Sequence, residues 1–148
     1  MSRHLVVAHQ TVTSPNLLEV MKGIADEDPD AQFTLLIPRT RVENLLTWTE
    51  GESRSIAEQA AETAKDMFEY NGLTIEDTII GDESPVQAVD DVMAANGPYE
   101  APFATIIVST FPPGLSRWLK LDPHNRIRQR YDIPVISVVA PREEAHVS

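Results

Sequence analysis

Apolar positions along the chain recur with two different periods. The runs at 5–8 (Leu-Val-Val-Ala), 33–37 (Phe-Thr-Leu-Leu-Ile), 73–80, 104–108 (Ala-Thr-Ile-Ile-Val) and 134–139 (Pro-Val-Ile-Ser-Val-Val) are short and rich in β-branched residues, which predicts strands. The near-continuous runs predict strands buried on both faces. Between them, apolar residues return at helical spacing: Leu17, Met21 and Ile24; Ile56, Ala60, Ala64, Met67 and Phe68; Val86, Val89 and Met93; Ile127 and Tyr131. The resulting order is β-α repeated four times and closed by a fifth strand. It predicts an α/β fold in a single domain, with an open, parallel, five-stranded, doubly wound sheet and helices on both faces.

Capping residues divide the chain in the same way. Ser14-Pro15, Ser84-Pro85 and Asp122-Pro123 each place a side-chain oxygen before a proline at the first helical position, where the missing N–H is harmless. Ser84 with Gln87, and Ser55 with Glu58, fit the reciprocal capping box. Asn96-Gly97 predicts the stop of the third helix. The insert Thr40 to Gly51 carries Val42, Leu45, Leu46 and Trp48 at helical spacing. It reads as an amphipathic turn packed on one end of the sheet, with a lid or a dimer contact as alternatives.

In wound sheets ligands bind outside the carboxyl ends of the strands, where the winding direction reverses. The predicted loops there are His9 to Thr13, Pro38 to Arg41, Gly81 to Glu83, and Ser109 to Asp122. The last is the richest in chemistry. Ser109, Thr110, Gly114, Ser116 and Arg117 together offer hydroxyls, bare backbone and a guanidinium to a phosphate or carboxylate. Residues of this loop also have ordinary readings: Ser116 as the cap of a short turn, Asp122 as a helix N-cap, Trp118 as packing, Pro112-Pro113 as a stiffened loop. Arg39 and Arg41 face the same crevice or stay solvated. His9 reads as a satisfied histidine rather than a general base, because no nucleophile elbow or second histidine accompanies it.

Composition narrows the function classes. In 148 residues, 42% are hydrophobic and 24% charged, an ordinary globular balance. No apolar run approaches the roughly 18 residues of a membrane span. The start of the chain lacks a hydrophobic signal segment, so the expected location is cytoplasmic. The absence of cysteine removes disulfides and thiolate chemistry, and the four histidines show no metal-ligand spacing. A net charge of -11 disfavours nucleic acid as a partner. Arg117, Lys120, Arg126, Arg128 and Arg130 nonetheless form a basic island; it is an anion site, a surface for an acidic partner, or a solvated helix face. Phosphoryl transfer lacks its lysine-bearing glycine loop.

The segment Gly-Leu-Ser-Arg-Trp-Leu at 114–119, running on to Ile133-Pro134-Val135, and the helix entry Gly81-Asp82-Glu83-Ser84-Pro85 through Ala88 resemble the universal stress protein family. The resemblance implies an adenine nucleotide alpha hydrolase-like sheet of order 3-2-1-4-5, with a domain over 1–141 and a tail over 142–148. It also implies a homodimer through the last strand, 134–139. Nucleotide-binding members carry G-x2-G-x9-G-[ST] after the fourth strand, but the aligned positions here read Val108, Phe111, Leu121 and Asp122. Side chains stand where bare backbone approaches phosphate, and Asp122 repels a triphosphate. The acidic residue that members place after the first strand aligns with Gln10. The chain is thus similar to the branch that does not bind ATP. The expectation is a binding or signalling module with no resident cofactor, ATP or AMP being the alternatives, and with a remodelled crevice for a small anionic ligand. A small enzyme acting on a phosphorylated or acidic metabolite is the competing reading.

Overall fold

The computed structural model describes residues 2–8, 12–39, 50–82, 84–95, 103–110, 126, 127, 129, 131 and 133–139. The elements run β1 (Arg3–Val7), α1 (Pro15–Glu27), β2 (Gln32–Pro38), α2 (Glu50–Tyr70), β3 (Thr74–Gly81), α3 (Pro85–Ala95), β4 (Thr105–Thr110) and β5 (Val135–Val139). All neighbouring strands pair in parallel, in the order β3-β2-β1-β4-β5. Arg126, Ile127 and Gln129 are helical, and Tyr131 N–H donates to the Ile127 carbonyl at 3.1 Å. The predicted fold and strand order therefore hold.

Strand alternation splits the interior into two layers. Val6, Phe33, Leu35, Ile37 and Ile107 face α1 and α2, joining Leu17, Met21, Ala57, Ala64 and Phe68. Leu5, Val7, Leu36, Ile106 and Val108 face α3 and Ile127. β1 is covered on both sides, with Leu5, Val6 and Val7 all fully buried.

Local chemistry explains most boundaries. Ser14 Oγ accepts from the Asn16 and Leu17 amides at 3.2 and 3.4 Å, capping α1 ahead of Pro15. Ser84 does the same for α3, accepting from Gln87 N–H at 3.3 Å. Gly72 takes φ 85° just past α2, the left-handed turn that glycine permits. The expected cap at Ser55 is corrected: α2 already includes Glu50, so Ser55 lies inside the helix. Gly51 is the second residue of α2; glycine costs about 1 kcal/mol even in a helix interior, which does not stop a helix of 21 residues. Residues 40–49, Asn96-Gly97 and Asp122-Pro123 lie outside the described residues.

β3 contains a bulge. Phe33 pairs with Ile75 but Thr34 pairs with Asp77, leaving Glu76 as the extra residue. Ile75 and Ile80 are an odd number of residues apart, yet both pack on the α1/α2 layer while Ile79 packs on the other. Glu76 accepts from Thr34 Oγ1 at 3.0 Å and Arg3 Nε at 2.8 Å. Arg3 also lies over the Phe103 ring, 4.9 Å from its centroid.

On the opposite face at the same amino edge sits a chain of polar groups around His4, which is 5% exposed. The Ser2 hydroxyl donates to Asp28 Oδ2. It therefore accepts from His4 Nε2, 2.9 Å away, leaving Nδ1 to accept the Thr105 hydroxyl at 2.6 Å. The imidazole packs against Phe33 with centroids 5.4 Å apart. Burial holds the His4 pKa below its ordinary 6.5, against the attraction of Asp28. Hydrogen bonding from Ser2 holds the Asp28 carboxyl below 3.8.

These shifts have the same sign in stability. A histidine kept neutral when folded but free to protonate when unfolded weakens the fold as pH drops from 6.5 toward its lower folded value. The Asp28 contribution is present above 3.8 and disappears as pH falls through its depressed folded pKa. Urea denaturation is expected to show stability declining with acid below neutrality. In His4→Gln the portion of that decline just below pH 6.5 flattens, whereas the Asp28 portion persists; an unchanged pH profile in the variant contradicts the assignment.

Gly81 sets how closely α3 docks. A Cβ there would stand 2.8 Å from Ala88 Cβ and 2.9 Å from Leu36 Cδ1, both closer than carbon atoms tolerate. Gly81→Ala is expected to lower stability by about 1–3 kcal/mol through overpacking, read as a reduced urea midpoint.

Candidate functional site

Reversal of winding falls between β1, which continues toward β2, and β4, which is reached from β3 through α3. At this point the carboxyl ends are staggered. Val7, the last residue of β1, pairs with Val108, while β4 runs on through Ser109 and Thr110 against Val138 and Val139 of β5. Both hydroxyl-bearing residues thus overhang the end of β1. Ser109 is fully buried and engaged by a partner. α1 begins at the same edge: Asn16 Nδ2 donates to the Val139 carbonyl at 2.8 Å. The positive end of its dipole and a buried hydroxyl thus share the site, an arrangement that favours an anion.

A second concavity opens at the same edge, between β2, β3 and α3. It has a volume of about 340 Å³, with Leu36, Ile79, Ala88 and Val92 as its apolar wall and Arg39, Asp82 and Asp91 among its polar groups. Arg39 is placed by its amide, which donates to the Gly81 carbonyl at 3.1 Å. Asp82 Oδ1 accepts the Ser84 amide at 2.9 Å, forming the turn that leads into α3. Asp91 Oδ1 accepts from Gln87 Nε2 at 2.9 Å, one helical turn earlier.

The predicted residues therefore separate. Ser109 and Thr110 lie at the reversal point. Arg39 lies at the carboxyl edge but lines the cavity beside β3, two strands away from β4. Gln10, Gly114, Ser116 and Arg117 lie outside the described residues, as do His9, Arg41 and Trp118. Asp91 and Ala95 were not anticipated from the sequence. Ala88, Asp91, Val92 and Ala95 recur at i, i+3, i+4 and i+7, so one face of α3 carries small residues and a carboxylate. That pattern was available in the sequence. Among the described residues no group of three or more His, Asp or Glu side chains could hold a metal ion, and no helix is long and apolar enough to cross a membrane.

Neither a family model nor a curated protein sequence matches the chain. Solved structures do. The universal stress protein from Archaeoglobus fulgidus superimposes with a TM-score of 0.58 at 13% identity, covering 93% of both chains. A universal stress protein family member from Burkholderia pseudomallei gives 0.57 at 11% identity, over 92% of this chain and 94% of that one. The Archaeoglobus fulgidus protein in complex with dAMP gives 0.55 at 13% identity, over 93% and 97%. The chain has the universal stress protein fold.

The turn before α3 shapes both the cavity and the helix. Ser84→Ala removes the hydroxyl that caps α3 and is expected to cost about 1 kcal/mol in thermal or urea unfolding.

Proposed function

We propose that this chain is a universal stress protein-like binding and signalling module with a remodelled crevice for a small anion or nucleotide at the β1/β4 reversal, and that it does not bind ATP in the family's usual manner. The carrying observation is the overhang of Ser109 and Thr110 beyond the end of β1, beside the start of α1. The likeness in fold to a structure holding dAMP supports a nucleotide-sized ligand. Against the triphosphate stand Phe111, Leu121 and Asp122 at positions where close phosphate contact needs glycine or a hydroxyl.

Ligand recognition then has Ser109, Thr110, Ser116 and Arg117 as its donors, Gly114 as the point of close backbone approach, and Gln10 in place of a nucleoside-binding acid. The protein works in the cytoplasm as a homodimer joined along β5. That strand is the outer edge of the sheet, and Val139 is 41% exposed, the kind of edge that proteins cover.

Titration calorimetry and thermal shift with ATP, AMP, dAMP and inorganic phosphate test the reading. A monophosphate or phosphate is expected to raise the melting temperature, and Arg117→Ala to abolish the rise; a ligand at about 100 times its Kd contributes roughly 2.7 kcal/mol. Tight ATP binding overturns the proposal. Light scattering is expected to return twice the monomer mass, and the monomer mass alone at micromolar concentration contradicts the dimer.

A further inference from the structure

β3 is one outer edge of the sheet, and its main-chain groups alternate between the two sides of the strand. The Gly81 carbonyl accepts the Arg39 amide that follows β2. Ile79 and Gly81 therefore bond inward, while the N–H and C=O of Thr78 and Ile80 face away from the sheet. The Thr78 amide agrees with this phase: with no strand beside it, it donates to Asp77 Oδ1 at 2.9 Å. Unpaired edge groups are a template for another strand.

The two halves of this edge differ. At Glu76 the bulge breaks the ladder, and Asp77 occupies the next outward donor; both features keep a strand from adding. Ile80 has neither. Its outward N–H and C=O have no hydrogen bond among the described residues. Its side chain packs on the α1/α2 layer, so it meets the cavity beside α3 through its main chain. An open pair of backbone groups thus adjoins a concavity of about 340 Å³.

The accessible lining of that concavity indicates what an added strand carries. Ile79 and Asp82 are half-buried, and Asp91 and Ala95 are exposed. Oδ1 of each carboxylate holds a protein donor, whereas Oδ2 of each has no hydrogen bond among the described residues. Arg39, the cation at this rim, is already engaged within the chain. In an added strand, the residue opposite Ile80 shares the Ile80 side of the sheet, and its neighbours point over the cavity. A lysine or arginine there lays its aliphatic stem along Ile79 and its charge toward Asp82 and Asp91. Pairing β3 with β3 of a second copy brings Asp77, Asp82 and Asp91 of the two edges together, a repulsive arrangement.

We propose that the carboxyl half of β3, centred on Ile80, binds an extended basic segment of a partner polypeptide by strand addition, with a lysine or arginine over the cavity. β2 and β1 separate this edge from Ser109 and Thr110, so failure of either reading leaves the other intact.

NMR titration of the full chain with the blocked peptide acetyl-Lys-Val-Lys-Val-Lys-amide tests it. The comparisons are the same peptide N-methylated at both valines and the analogue with glutamate for lysine. The parent peptide is expected to shift the Ile80 and Asp82 amide resonances saturably below about 1 mM. N-methylation keeps the charge but removes the donors that face β3; it and the glutamate exchange are each expected to weaken binding at least about tenfold. Asp82→Asn combined with Asp91→Asn keeps the acceptors for Ser84 and Gln87 and is expected to weaken the parent peptide about tenfold. No shift at about 10 mM, equal binding of either comparison peptide, or unchanged affinity in the double variant each overturns the proposal. Concentration-dependent broadening of the Ile80 resonance without peptide also overturns it, assigning the edge to a second copy.

Discussion

Burial of β1 on both faces is the constraint from which the rest of the architecture follows. Leu5, Val6 and Val7 have no contact with solvent, and a strand with apolar side chains pointing both ways needs a helical layer on each side. α1 and α2 supply one layer, while α3 and Ile127 supply the other. Because crossovers of one hand put successive helices on one face, covering the second face requires the chain to leave β3 and return on the far side of β1. The reversal of winding, and the crevice at its carboxyl end, are thus consequences of hydrophobic cover.

The two ends of the sheet are built differently. The amino edge is tied by side chains from distant segments: Ser2, His4, Asp28 and Thr105 on one face, Arg3, Thr34, Glu76 and Phe103 on the other. Polar groups there satisfy one another. At the carboxyl edge, β4 runs past the end of β1, one oxygen each of Asp82 and Asp91 has no hydrogen bond among the described residues, and the outermost strand turns main-chain groups outward. A stiff base with polar capacity at the opposite rim is an arrangement suited to ligand recognition.

Most of the fold was legible in the sequence because local signals and hydrophobic period agree. Ser14-Pro15 and Ser84-Pro85 start helices where the pattern changes from period two to helical spacing. Ser55 misled because a capping box is a local pattern, and a helix already running from Glu50 outweighs it. The sites were legible only in part. Ser109 and Thr110 follow from their place at the end of a predicted strand, and Arg39 from its place after β2. That Arg39 and Asp91 line one cavity depends on how α3 docks on Gly81 and Leu36, a close approach that no periodicity expresses. The His4 chain joins residues 2, 4, 28 and 105, which share no motif.

The bulge at Glu76 makes β3 two strands in series. Its first part belongs to the ionic clamp with Arg3, and its last part to the cavity under α3. The extra residue resets the inward-outward phase between them, so Ile75 and Ile80 pack on the same layer despite their odd spacing. The bulge acts as a punctuation mark. Substitutions in the Ile79 to Asp82 segment can reshape the cavity without forcing a compensating change in the clamp, so cavity shape and scaffold integrity can diversify separately within a single strand.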